Sequence, residues 1–118
     1  MQLEQKIDGD IAMVIVHGDI TSQGGDVVIK DKINSLLNQK FKKLLLDLGD
    51  VKYVDSSGLG HLAAAQATVR RQGGELKLLN VTRRLSDLLV VTRLITIFDT
   101  FDSEQKARES FGGPAANV

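Results

Sequence analysis

The chain has 118 residues, of which 42% are hydrophobic and 25% charged; that fits one globular domain and excludes a wholly disordered chain. Its 15 basic and 15 acidic side chains balance to a formal charge of zero, which argues against a general nucleic-acid binder and against polybasic attachment to a membrane. It contains no cysteine, so disulfides, thiolate zinc sites and cysteine nucleophiles drop out together.

No apolar run approaches the roughly 18–20 residues of a transmembrane helix. The first ten residues carry three acids, Glu4, Asp8 and Asp10, and lack an apolar centre, so they do not read as a signal peptide. The expected compartment is the cytoplasm.

In chain order, Met1 to Lys6 reads as a short strand. Ile11 to Val16 is a β-favouring run ended by Gly18, the pattern of a strand buried on both faces. Asp8-Gly9-Asp10 between them suits a hairpin turn. Turn residues fill Thr21 to Gly25. From Asp26 to about Lys40, Ile29, Ile33, Leu36 and Leu37 fall on one helical face. Leu44 to Leu48 is a second buried-strand candidate, followed by a loop from Gly49 to Asp55.

A helix is predicted over Ser57 to Gln72, with Leu59, Leu62, Ala63, Gln66 and Val69 inward and Gly73-Gly74 ending it. Glu75 to Asn80 reads as a strand, and Thr82 to Val91 as a helix with Leu85, Leu88 and Leu89 inward. Ile95 to Phe98 reads as a last strand, and Asp102 or Ser103 can cap a final helix to about Ser110. Residues 112–118 carry no periodicity and read as a flexible tail, leaving 1–111 as the domain. The order is β-β-α-β-α-β-α-β-α. It predicts an α/β fold with a mixed sheet, because strands joined through helices want parallel neighbours and right-handed crossovers.

The most informative segment is Tyr53-Val54-Asp55-Ser56-Ser57-Gly58-Leu59-Gly60, where a loop meets a helix N-terminus. Asp55 or Ser56 can cap that helix. Gly58 and Gly60 leave its first turn bare, so another backbone or a ligand can approach. The helix N-terminus favours anionic groups.

This segment and its surroundings resemble the STAS domain of anti-sigma factor antagonists, from about Leu3 to Phe111. The resemblance rests on Val54-Asp55-Ser56-Ser57-Gly58-Leu59-Gly60, on His17-Gly18-Asp19-Ile20, and on the buried strand Leu44 to Leu48. Gln72-Gly73-Gly74 before a strand and a leucine-rich helix near Leu88 add to it. The resemblance implies a single STAS-like domain whose serine after the aspartate, Ser56, is phosphorylated, with Ser57 as the adjacent alternative. It implies partner contacts at Asp19, Thr21, Asp55, Ser56, Ser57, Gly58, Leu59 and Gly60. The implied partners are an anti-sigma factor that is also a serine kinase and a metal-dependent serine phosphatase. The unphosphorylated antagonist would bind the kinase and free the sigma factor, and phosphorylation would release the antagonist. No catalysis, cofactor or metal of its own is implied, and a monomer is expected when free. Two positions depart from the family pattern: Thr21 stands where many members carry a second carboxylate, and Arg93 where many carry glycine.

Other readings compete. A STAS module can instead be a constitutive adaptor or scaffold in a signalling, transport or lipid-trafficking assembly, with Ser56 only a helix start. Asp47 after a buried strand raises the receiver domain of response regulators, but no lysine lies near Phe98 and only Asp19 follows the first long strand. His17 and His61 are the only histidines, too few for a histidine metal site. Val54 stands where a hydrolase elbow needs glycine. Arg70-Arg71 and Arg83-Arg84 read as solvated pairs able to meet an acidic partner.

Overall fold

The computed structural model describes residues 1–116. β1 (Gln2–Asp8) and β2 (Ile11–His17) form an antiparallel hairpin. The turn works because Gly9 takes the left-handed conformation (φ 62°), which glycine adopts without steric cost. After the hairpin come α1 (Gly25–Asn38), β3 (Lys43–Asp50), α2 (Ser56–Arg71), β4 (Glu75–Leu79) and α3 (Arg83–Val91). A 3₁₀ turn (Leu94–Ile97), β5 (Thr100–Phe101) and α4 (Glu104–Ala116) complete the chain.

The sheet order is β1-β2-β3-β4-β5, with every pair parallel except β1–β2. Each crossover moves one strand in the same direction, so right-handed connections bring α1, α2 and α3 to one face. The side-chain pattern agrees. Ala12, Val14, Val16, Leu44, Leu46, Leu48, Leu76 and Leu78 join Ile29, Ile33, Leu36, Leu62, Val69, Leu85 and Leu89 in the main core. The alternate residues Met13, Leu45 and Leu79 face the other way and meet Ala107 and Phe111 of α4 in a second, smaller core. β2 and β3 are therefore covered on both sides, as their unbroken apolar runs predict. Lys77 shares that second face. Its buried ammonium lies 4.8 Å from the Phe111 ring centre, donates to Ser110 Oγ (2.9 Å) and sits 3.4 Å from Asp99.

Two expectations change. Ile95 to Phe98 is not a strand; the 3₁₀ turn takes Leu94–Ile97, and β5 follows it at Thr100–Phe101. Arg93 adopts φ 64°, and the Thr96 N–H closes an i→i+3 bond to its carbonyl. Leu94, Ile95 and Ile97 pack against the main core. Leu94, Ile97 and Phe98 have helical spacing as well as strand composition, an ambiguity that a short apolar run does not resolve. The last helix also continues past Ser110 to Ala116. Asn117 and Val118, the end of the expected tail, lie outside the described residues.

β5 is so short that it pairs only with Leu78 and Leu79. The outer edge of β4 at Leu76 is completed by a side chain instead. The Gln66 amide donates to the Leu76 carbonyl (2.9 Å) and accepts from its N–H (3.1 Å). It also donates to the Ile97 carbonyl (2.8 Å). A buried glutamine thus does the work of a missing strand residue.

Candidate functional site

Parallel strands β2 and β3 both end at one edge of the sheet, and the loops that follow them are stitched together. Beyond an irregularity between Ile15 and His17, the pairing resumes as a bridge between Ile20 and Val54. The Ile20 N–H donates to the Tyr53 carbonyl (3.0 Å), and the Asp55 N–H donates to the Ile20 carbonyl (3.3 Å). Helices α1 and α2 both start from this double loop. Each start is pressed onto it through a glycine, Gly25 against the Asp19 carbonyl and Gly58 against the Ile20 carbonyl.

Asp55 is the N-cap of α2, which settles the choice between Asp55 and Ser56. Its Oδ1 accepts from the Gly58 N–H (2.7 Å), and its Oδ2 accepts from the Ser22 N–H (3.0 Å). One carboxylate therefore caps α2 and ties the neighbouring loop to it. The Ser22 and Gly58 amides hold the Asp55 carboxyl below its ordinary range, because both bonds favour the ionised form.

The two serines that follow have different surroundings. Ser56, the first residue of α2, is exposed, and its hydroxyl takes no part in the hydrogen bonds that tie this turn together. Ser57 is half-buried, and its hydroxyl donates to Oδ2 of the buried Asp26 in α1 (2.7 Å). The other Asp26 oxygen accepts from the Val27 N–H (2.7 Å). His61 closes the cluster: its Nδ1 donates to the Ser57 carbonyl (2.9 Å) and lies 3.5 Å from Asp26 Oδ2.

The remaining predicted residues divide by exposure. Asp19 and Gly60 are exposed, Thr21 is half-buried, and Gly58 and Leu59 are buried. Thr21 serves its own loop, its Oγ1 accepting from the Gln23 N–H (3.2 Å) and its carbonyl from the Asp26 N–H (3.1 Å). A groove of about 600 Å³ opens beside Ser56, between the β3–α2 loop and α3. Its walls include Tyr53, Leu59, Leu88 and Val91, with Lys52 and Arg84 among the charged lining residues. Tyr53 and Val91 are exposed apolar side chains there.

Sequence reasoning did not single out Asp26 or the α3 wall of the groove. The signal for Asp26 was weak, an acid in the first turn of a helix. Tyr53, the single tyrosine of the chain and the first residue of the informative segment, was the better clue to the groove. Arg84 lines the groove, whereas Arg70 is committed to Glu75 (3.1 Å) and the Ile97 carbonyl (3.0 Å). Asp47 accepts from the Gly49 N–H (3.0 Å) and faces the Asn80 amide (3.3 Å), the role of a polar strand end. The receiver reading also fails on topology, since that fold orders its strands 2-1-3-4-5 and this sheet runs in sequence order. Among the described residues no group of three or more His, Asp or Glu side chains is placed to hold a metal, and no helix is long and apolar enough to cross a membrane.

A family model described as "STAS domain" matches residues 2–107. The chain belongs to the STAS domain family. The anti-sigma-B factor antagonist of Bacillus subtilis (strain 168) is 40% identical over 72 residues, covering 61% of this chain and 65% of that protein. The crystal structure of an anti-sigma factor antagonist from Mycobacterium paratuberculosis superposes with a TM-score of 0.81 at 18% identity, over 93% of this chain and 92% of that one. The Bacillus cell fate determinant SpoIIAA, in its phosphorylated form, gives 0.71 at 15% identity over 92% and 98% of the two chains. At those identities the two structures establish the fold alone. In this STAS domain, then, the Asp-Ser-Ser-Gly turn stands at the sheet edge where β2 and β3 end, with its first serine exposed and its second engaged.

Proposed function

We propose that this STAS domain is an anti-sigma factor antagonist controlled by phosphorylation of Ser56. One observation carries the reading: Ser56 presents an exposed hydroxyl at the start of α2, while the turn around it is held by backbone and carboxylate bonds that do not use it. A partner can therefore modify Ser56 without dismantling the fold. The relatives' shared name supports an anti-sigma factor as partner, and the phosphorylated SpoIIAA structure shows that a protein of this fold carries the modification.

Chemically, the partner supplies the ATP and the kinase active site, and this chain supplies the acceptor. A phosphate adds about −1.5 to −2 charges and three acceptor oxygens. The α2 N-terminus accommodates them within the chain. At an interface formed around a neutral hydroxyl, the same charge meets an unfavourable surface. A loss of about 3–4 kcal/mol weakens binding several-hundred-fold, so release needs no refolding. The groove bordered by Tyr53, Leu88 and Val91 adds apolar contact area next to the switch. A serine phosphatase resets the cycle in the cytoplasm.

The test is a comparative pull-down from host lysate with wild type, Ser56→Ala and Ser56→Asp as bait. Retention of a serine kinase by Ser56→Ala and its loss from Ser56→Asp is the expected result. Equal retention of one partner set by all three baits would make the chain a constitutive adaptor and Ser56 a plain helix start.

A further inference from the structure

We infer that Asp26 is a positioning residue that determines which of the two adjacent serines receives the phosphoryl group. The inference rests on the phosphoacceptor reading above and deepens it. Ser56 and Ser57 are neighbours on one helical turn, and a kinase reaching the exposed end of α2 meets both. Sequence alone distinguishes them poorly. The difference lies in a contact 31 residues away along the chain: Ser57 Oγ donates to Asp26 Oδ2 at 2.7 Å.

Asp26 is suited to this task. It is 4% exposed, and its two oxygens are divided between two donors, the Val27 N–H and the Ser57 hydroxyl. A buried carboxylate left without its hydroxyl partner is unfavourable, so the pair resists separation. His61, bonded to the Ser57 carbonyl from the following turn, also faces the pair. Ser57 Oγ is thereby held inward between α1 and α2, while Ser56 is exposed and has no such bond.

Transfer from ATP breaks the bond from Pγ to the bridging oxygen and forms a bond from Pγ to the serine Oγ. ADP leaves, and the hydroxyl proton passes to the kinase's base. That base can take the proton from Ser56. The Ser57 proton is already directed into the protein, towards Asp26, and the half-buried hydroxyl has to give up that bond before its oxygen can meet an incoming phosphorus. A hydrogen bond to a charged acceptor shifts such an equilibrium by roughly one to two decades, enough to make phosphorylation single-sited.

The experiment incubates wild type, Ser56→Ala, Asp26→Ala/Ser56→Ala and Asp26→Asn/Ser56→Ala with host extract and γ-labelled ATP. Fragmentation mass spectrometry assigns the site, and circular dichroism with a thermal melt checks each fold. Wild type is expected to carry label on Ser56 only, and Ser56→Ala to carry almost none. Asp26→Ala/Ser56→Ala is expected to gain label on Ser57, about tenfold or more above Ser56→Ala. Asparagine can still accept from Val27 through its oxygen but presents an amide donor to Ser57, which no longer holds the Ser57 proton, so Asp26→Asn/Ser56→Ala is also expected to gain label on Ser57 without a change of side-chain shape. Efficient labelling of Ser57 in Ser56→Ala overturns the inference and leaves the general switch standing. This arm decides the matter even if Asp26→Ala lowers stability. A folded Asp26→Ala/Ser56→Ala chain that stays unlabelled on Ser57 also overturns it. Absence of label on wild type overturns the phosphoacceptor reading itself, and the inference with it.

Discussion

Gly58, in the first turn of α2, lies directly against the carbonyl group of Ile20, and a Cβ at that position would fall deep inside van der Waals contact with it. The glycine in the Asp-Ser-Ser-Gly turn is thus a packing requirement. It lets α2 start against the loop that follows β2, and so places Ser56 at the common edge. Gly58→Ala is expected to destabilise the domain by about 1–3 kcal/mol, the usual range for overpacking. Gly60 has open space around it, so Gly60→Ala should stabilise the helix by roughly 0.5–1 kcal/mol. Denaturant titration of the two variants should move in opposite directions.

Ser56 is the first residue of α2, where negative charge interacts favourably with the helix dipole by about 0.3–1 kcal/mol. Nearby Asp55 opposes that gain. Ser56→Asp should therefore melt close to wild type while losing its partner. A large fall in melting temperature would mean that the switch acts by unfolding the turn.

The Asp55 carboxyl is held below its ordinary value of 3.8 by the Ser22 and Gly58 amides. A group with a depressed folded-state pKa stabilises the fold above its ordinary pKa, and that contribution is lost as pH falls through the folded value. The acid limb of the stability curve should be shallower in Asp55→Asn than in wild type. Urea midpoints measured down through the carboxylate range check this.

His17 responds to pH in the opposite sense. Its Nδ1 donates to Asp50 (2.6 Å) and its Nε2 to Glu4. Two acceptor-only carboxylates on two ring nitrogens are both satisfied only by the imidazolium. Asp50, and then Glu4, raise the His17 pKa above 6.5. This contribution is complete below 6.5 and disappears as pH rises through the raised value. Wild type should therefore lose stability across that window, and His17→Gln should not. An imidazole titration by NMR locates the midpoint.

Gln66→Leu should remove the side chain that completes the outer edge of β4. The Leu76 N–H and carbonyl would both be left buried without their present partner. A cost of roughly 1–3 kcal/mol per orphaned group is expected, despite the added apolar surface. Hydrogen exchange should show the Leu76 amide losing protection first.

Most of the element order was legible from local pattern, for reasons that operate over a few residues. The inward faces of α1 (Ile29, Ile33, Leu36, Leu37) and of α2 (Leu59, Leu62, Gln66, Val69) are buried where the helical period places them, although Ala63, expected among them, is only half-buried and Ala65 is buried instead. An aspartate before a helix supplies its own cap, and a glycine between two strands its own turn. Ser56 and Ser57 stood out as a pair for another reason, the resemblance of their segment to STAS domains.

What lay beyond the sequence depended on which distant groups the folded chain brings together. Ile95 to Phe98 had strand composition, yet Leu94–Ile97 form a 3₁₀ turn whose Leu94, Ile95 and Ile97 pack against the main core. α3 became the far wall of a groove only because the crossover from β4 returns on the same face as α2. The difference between Ser56 and Ser57 was decided the same way. Sequence determined that two hydroxyls sit at a capped helix start. Tertiary packing of α1 on α2 brought the buried Asp26 to one of them and left the other in water.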